Sequence, residues 1–167
     1  MKKIRSRLVF AAACLSLSLP ALALLSDSDR KFVAEAAAAG NAEIALGRIA
    51  AERGADSVVR DFGARMAQDH AQIAASLRTI AAAQGFDLRE VPTDAQMAAQ
   101  RDLEKLRGPR FDDAYVRLQR TEQDKVMVLF RGESERGDDP ALRQFAADTL
   151  VVIEGHRKRA EMLPTWR

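Results

Sequence analysis

The sequence predicts an all-α protein: a bundle of four long helices with one longer connection between the second and the third. Three observations lead there. The 167 residues are 47% hydrophobic but only 5% aromatic, and alanine dominates alongside Arg, Glu and Gln. That composition favours closely approaching helices over the Val, Ile, Thr and Tyr richness of a sheet. Apolar residues recur at intervals of three and four in four long stretches, and Gly54, Gly85, Gly108-Pro109 and Gly137 to Pro140 separate those stretches. The length suits one globular domain with a proper core.

The chain opens with Lys2, Lys3, Arg5 and Arg7, continues with an apolar run from Leu8, and reaches Ala21-Leu22-Ala23, a small-x-small pattern. This order reads as a cleaved export signal over residues 1 to 23. A mature domain over residues 24 to 167 follows, with the periplasm of a Gram-negative bacterium as its expected location. Two alternatives stand beside that reading. A retained anchor would need ~20 apolar residues, and Ser16, Ser18 and Pro20 interrupt the run. A lipoprotein signal ending at Cys14 would leave the apolar segment mostly after the cut, the wrong side for such a signal.

Ser26 and Ser28 can cap the first helix, which should run to about Glu52 with Gly54 as a left-handed stop. Its seam is Phe32, Ala36, Ala39, Glu43, Leu46 and Ala50, an acid within an apolar stripe. A second helix from Asp56 to Gln84-Gly85 carries Val59, Phe62, Met66, Ile73, Leu77 and Ile80, with Asp69 and His70 in the gap. Thr93 followed by Gln96 is a capping-box pattern for a short crossover helix to about Leu106.

Beyond Gly108-Pro109, a third long helix carries Phe111, Tyr115, Leu118, Glu122, Val126 and Leu129. Pro140 suits the first turn of the fourth, whose seam includes Leu142, Phe145, Ala146, Leu150, Ile153, His156, Ala160 and Leu163. One core is expected, containing Phe32, Leu46, Phe62, Ile73, Leu77, Phe111, Leu118, Leu129, Phe145 and Ile153. MAQDHAQI (66 to 73) against QRTEQDKV (119 to 126) suggests a loose repeat between the helix pairs. Glu133 and Glu135 read as solvated acids, and Tyr115, Met66 and Trp166 as packing or terminal residues.

Removal of the four basic signal residues changes 26 basic and 24 acidic side chains to 22 and 24, so the formal charge of +2 becomes −2. No basic face with interleaved aromatics remains, which argues against nucleic acid. The mature chain has no cysteine, so disulfides, thiolate metal sites and thiol nucleophiles are excluded. Gly-rich phosphate loops, HExxH and an exposed nucleophile beside a base are also missing.

Each long helix offers a polar residue near its middle: Glu43, then Asp69-His70, then Glu122-Gln123, then His156. Carboxylates and neutral imidazoles projected inward from facing helices can bind iron, manganese or zinc. The same residues can form a hydrogen-bonded network, since buried charges are tolerated when paired.

The stretches AGNAEIALGRIA, DFGARMAQDHAQIAASL, FDDAYVRLQRTEQDKVMVLF and LVVIEGHRKRAEML resemble the ferritin-like domain of unknown function 4142 family, exported bacterial helical proteins, over about residues 30 to 163. The resemblance implies a ferritin-like four-helix bundle with a short crossover helix and no established activity. It also implies an Asp-His pair on the second and third long helices and a histidine on the fourth. Asp69-His70 and His156 match, whereas Glu122-Gln123 replaces the second pair. A dinuclear iron site would need Glu three residues before each His, and Ala67 and Ile153 occupy those positions.

Two function classes follow. The first is a non-catalytic envelope or stress-related protein that binds a protein partner or self-associates, its polar set structural. The second is a metal-binding or redox protein with a mononuclear site drawn from Glu43, Asp69, His70, Glu122 and His156. No stable membrane span is expected after signal cleavage.

Overall fold

In the computed structural model, residues 25 to 88 and 91 to 164 are described. They form α1 (Asp27–Arg53), α2 (Ser57–Ala83), α3 (Asp94–Glu104), α4 (Pro109–Arg136) and α5 (Pro140–Met162), and no strand occurs among them. The expected signal over residues 1 to 23, its Cys14 and Trp166 lie outside the described residues. No described helix is long and apolar enough to cross a membrane.

Local chemistry accounts for the helix ends. The Asp29 N–H donates to Ser26 Oγ at 3.1 Å, and the Val58 N–H donates to Asp56 Oδ1 at 2.9 Å. Asp139 Oδ1 accepts from the Ala141 and Leu142 amides. Thr93 and Gln96 form the expected capping box, satisfying two otherwise orphaned amides. Gly54 departs from expectation: its φ is −54°, so it is no left-handed stop. Glycine is required there for space, since a Cβ would stand 2.8 Å from the Ala50 carbonyl oxygen. The left-handed stop is Gly85 at φ +67°, where the Phe86 N–H reaches back to the Ala81 carbonyl at 2.9 Å.

α1 packs along α2, and α4 along α5. The first pair crosses closely at Gly47 and Gly63, because a Cβ on Gly47 would lie 2.7 Å from the Gly63 carbonyl oxygen. Asp29, at the start of α1, accepts hydrogen bonds from the Asp138 and Asp139 amides between α4 and α5, both at 3.0 Å. Asp112, at the start of α4, accepts from the Ala55 and Asp56 amides between α1 and α2 at 2.9 and 2.8 Å. The first helix of each pair thus grips the turn of the other, and α1 runs antiparallel to α4. Because α2 ends at the opposite end from the start of α4, the chain must return along the molecule, and α3 lies on that return.

This reciprocity reflects an internal repeat. Asp29 and Asp112, Gly54 and Gly137, Asp56 and Asp139, Arg60 and Arg143, and Phe62 and Phe145 are each 83 positions apart. The repeat therefore lies in ERGADSVVRDF against ERGDDPALRQF. The pairing of residues 66 to 73 with 119 to 126 is out of register with it.

The expected single core is instead two clusters. One gathers Phe32, Leu77, Phe130, Phe145 and Ile153, and the other Leu46, Phe62, Met66, Phe111 and Tyr115. Ile73, Leu118 and Leu129 are only partly buried beside them. On every long helix the residues between its contributions to the two clusters include buried polar ones: Glu43 on α1, His70 on α2, Gln119 and Gln123 on α4, and His156 on α5. A polar layer divides the apolar interior.

Candidate functional site

The layer has two halves. On the α1 and α4 side, Glu43 is buried, and its Oε2 accepts from Gln119 Nε2 at 2.7 Å. Its Oε1 accepts a longer bond from Gln123 Nε2 at 3.4 Å. Burial pushes the Glu43 carboxyl up to about 7, the nearby Glu122 charge adds to the rise, and the two amide bonds oppose it. Tyr115 stacks on Phe111 with ring centroids 6.2 Å apart, and its hydroxyl is buried without a partner. Burial, then the Glu43 charge, holds that phenol well above its usual range.

On the α2 and α5 side, His156 and Asp69 are joined by a 2.9 Å bond between Nε2 and Oδ2. Arg65 Nε donates to the same oxygen at 2.8 Å from the solvent side. Burial works to raise the Asp69 pKa, but the bonds from His156 and Arg65 prevail and lower it. An ionised Asp69 can only accept, so His156 carries its hydrogen on Nε2. Burial lowers the His156 pKa against the pull of Asp69, so this contact is a hydrogen bond from a neutral ring rather than an ion pair.

His70 stands beside it with ring centroids 5.3 Å apart. Burial and then the His156 ring push the His70 pKa down to about 3. His156 Nδ1, His70 Nε2, Gln119 Oε1 and Gln123 Oε1 are all buried without a partner.

Glu43, Asp69, His70 and His156 therefore share the layer, and Glu122 does not. Its side chain is bonded to Lys125 Nζ at 2.7 Å at the bundle surface. The cause is a rotation of the α4 face by about one residue. The inward stripe is Phe111, Tyr115, Gln119, Gln123, Val126 and Phe130, with spacings of four and three throughout, whereas Leu118, Glu122 and Leu129 flank it. Gln119 and Gln123 are the site residues that sequence reasoning missed. Their phase with Phe111, Tyr115 and Phe130 was the signal available. Glu133, expected in solvent, is also buried, at 6% exposure.

The donor set fits a metal poorly as arranged. Among the described residues, no three His, Cys, Asp or Glu side chains stand where they could hold one ion. Asp69 and His156 meet at hydrogen-bond distance, and the inward residues of α4 are amides.

Two openings reach the layer. A groove of about 670 Å³ between α2 and α5 exposes Asp69 beside Arg65 and Thr149. A cavity of about 440 Å³ beneath α3 reaches Glu43 between α1 and α4.

Helices alone among the described residues, a duplicated helix pair and a buried polar layer define an all-α bundle protein. Over residues 15–163 the chain matches the family described as "Domain of unknown function (DUF4142)", and it belongs to that family. A crystal structure of a DUF305 fragment from Deinococcus radiodurans is similar in fold, with a TM-score of 0.74 at 13% identity. The match covers 83% of this chain and 96% of that one. No curated protein matches the chain.

Proposed function

We propose that this is an exported, non-catalytic binding protein of the bacterial envelope, built as a ferritin-like four-helix bundle with α3 as its crossover, and that its polar layer is a structural network. The observation that carries the structural role is the pairing within the layer. Asp69 is held between Arg65 and His156, and Glu43 between Gln119 and Gln123. These pairings fix the register of the helices around them, since any slip would break the bonds and strand their polar groups in the apolar interior. The basic and apolar opening residues with Ala21-Leu22-Ala23 support export to the periplasm, and the reciprocal gripping of the turns supports the bundle topology.

A metal centre is the second reading, and the orphaned ring nitrogens of His70 and His156 favour it. It requires the imidazoles to leave their present positions, because ligand atoms must come within ~2.0 to 2.2 Å of an ion. One experiment separates the two readings. The mature protein, purified without chelator, is assayed for iron, manganese and zinc alongside Glu43→Gln and His156→Gln. The structural role predicts no stoichiometric metal and lower thermal stability in both variants. Bound metal that disappears from either variant would replace the structural role with the second reading.

A further inference from the structure

We propose that the cavity beneath α3 is a binding site for a small amphipathic organic cation, an alkylammonium, whose charged head meets Glu43. The inference rests on the binding-protein reading and supplies a ligand class for it.

The cavity has the size of a small-molecule site, about 440 Å³. Its walls are mostly short apolar side chains, among them Ala39, Ala42, Leu46 and Val126. Such walls suit an alkyl segment and offer it no hydrogen bonds. At the inner end stands Glu43, a carboxyl shielded from water and partnered only by amide donors. No described Lys, Arg or His is paired with it.

A carboxylate has about four acceptor positions, and the two glutamine bonds leave room for further donors. Beside it, Gln119 Oε1 and Gln123 Oε1 are buried acceptors without a donor. Glu122 adds a second carboxylate to the lining, although Lys125 answers that one at the surface. The polar end therefore sets two carboxylates against the single ammonium of Lys125, and because Lys125 is bonded to Glu122, Glu43 is left without a cation. A primary ammonium is the complement, with three donors, one positive charge and no acceptor.

Access comes through the roof. α3 has 11 residues, of which only Leu103, near its C-terminal end, is buried. Its N-terminal half, with Gln96 and Ala99, overlies the cavity, closes its own end with the capping box and buries no side chain. That half can lift while Leu103 remains anchored in the cluster around Phe111. Few buried apolar contacts mark a segment that opens at small free-energy cost.

The test is calorimetric titration of the mature protein at about pH 8 with n-hexylammonium, n-hexanol and n-hexanoate. Hexylammonium should bind with a submillimolar Kd, about tenfold or more tighter than hexanol, and hexanoate should not bind. Glu43→Gln should erase the preference, leaving hexylammonium no tighter than hexanol. Ala99→Phe, on the half-buried face of α3, should block all three ligands while leaving the bundle folded, and it carries the test if Glu43→Gln does not fold. Equal binding of hexylammonium and hexanol by the wild type, no binding at millimolar ligand, or undiminished hexylammonium binding by Ala99→Phe would overturn the proposal. Failure here leaves the metal assay to judge the structural role, and metal in that assay leaves the amine result standing.

Discussion

The turns at the two repeated corners use the same parts. Between α1 and α2, Asp112 holds the Ala55 and Asp56 amides, and Arg60 Nη1 donates to the Gly54 and Ala55 carbonyls at 2.7 and 2.8 Å. Between α4 and α5, Asp29 holds the Asp138 and Asp139 amides, and Arg143 Nη1 donates to the Gly137 and Asp138 carbonyls at 2.7 and 2.9 Å. What differs is what lies behind each glycine. Ala50 stands behind the first, and its counterpart 83 positions on is Glu133. Each corner has its buried aspartate, but behind the first glycine stands only a methyl group, whereas behind the second a further buried acid lies among Asp29, Asp138 and Asp139. The comparison separates what closes the bundle, which both corners share, from what makes one end responsive to pH.

The largest effect should come from the shared part. Asp112 is fully buried and accepts two backbone amides. Charge-assisted bonds contribute about 1.5 to 3 kcal/mol each, so Asp112→Ala should destabilise by roughly 3 to 6 kcal/mol. Asp29→Ala strands two amides in the same way but also relieves Glu133, so its loss should be smaller by about 1 kcal/mol near neutral pH. Chemical denaturation at neutral pH measures both. Equal losses, or a greater loss for Asp29→Ala, would mean that the acid behind the second corner is not felt.

A second contrast lies along the helix pairs. Gly47 and Gly63 let α1 and α2 approach, while their counterparts in α4 and α5 are Phe130 and Ala146. Gly47→Ala places a methyl against the Gly63 carbonyl and the Ala67 amide, backbone atoms that cannot swing aside. Overpacking of this kind costs about 1 to 3 kcal/mol, and the thermal midpoint should fall accordingly. In the second pair, Ala146→Gly should lose only about 1 kcal/mol of helix propensity and a little packing. If Gly47→Ala is neutral, the close crossing does not govern the first pair.

How far the sequence carried this picture depended on the range of the physics involved. Helix spans were legible because caps such as Asp56 and Thr93 and breakers such as Gly108-Pro109 act locally. The middle polar positions of α1, α2 and α5 were legible because Glu43, His70 and His156 interrupt otherwise apolar stripes. On α4 the same reasoning missed by one residue. Leu118 and Leu129 made a plausible stripe through Glu122, and only tertiary packing selects the stripe through Gln119 and Gln123. The partition into two apolar clusters was not legible, since it depends on four helices placing polar residues at one height. The corners were missed for a different reason. Glu133 looks like any surface acid until Asp29, more than a hundred positions away, is brought beside it.

Glu133 gives the smallest and most diagnostic prediction. Burial first, then the negative charges of Asp29, Asp138 and Asp139, raise its pKa from 4.5 to about 7. The sign follows from proton linkage. Below pH 4.5 the acid is protonated in both the folded and unfolded states, and its contribution to stability is fully present. Between pH 4.5 and 7 the unfolded chain releases the proton while the folded one retains it, so stability falls as pH rises. Above pH 7 the folded protein carries a buried anion, and the contribution is gone. Glu133→Gln keeps the shape without the charge. It should match the wild type near pH 4 and exceed it at pH 8 by about 1 kcal/mol, discounted for solvent screening at the turn, or about 2 to 4 °C in thermal midpoint for a chain of this size. Glu43, also raised to about 7, tilts the wild-type profile in the same direction, and His70, lowered to about 3, affects its acid side. Both remain in the variant, so the difference between the two melting curves across pH isolates Glu133. A difference that is flat from pH 4 to 8, or a variant weaker than the wild type at pH 8, would place Glu133 in solvent and leave the two corners electrostatically alike.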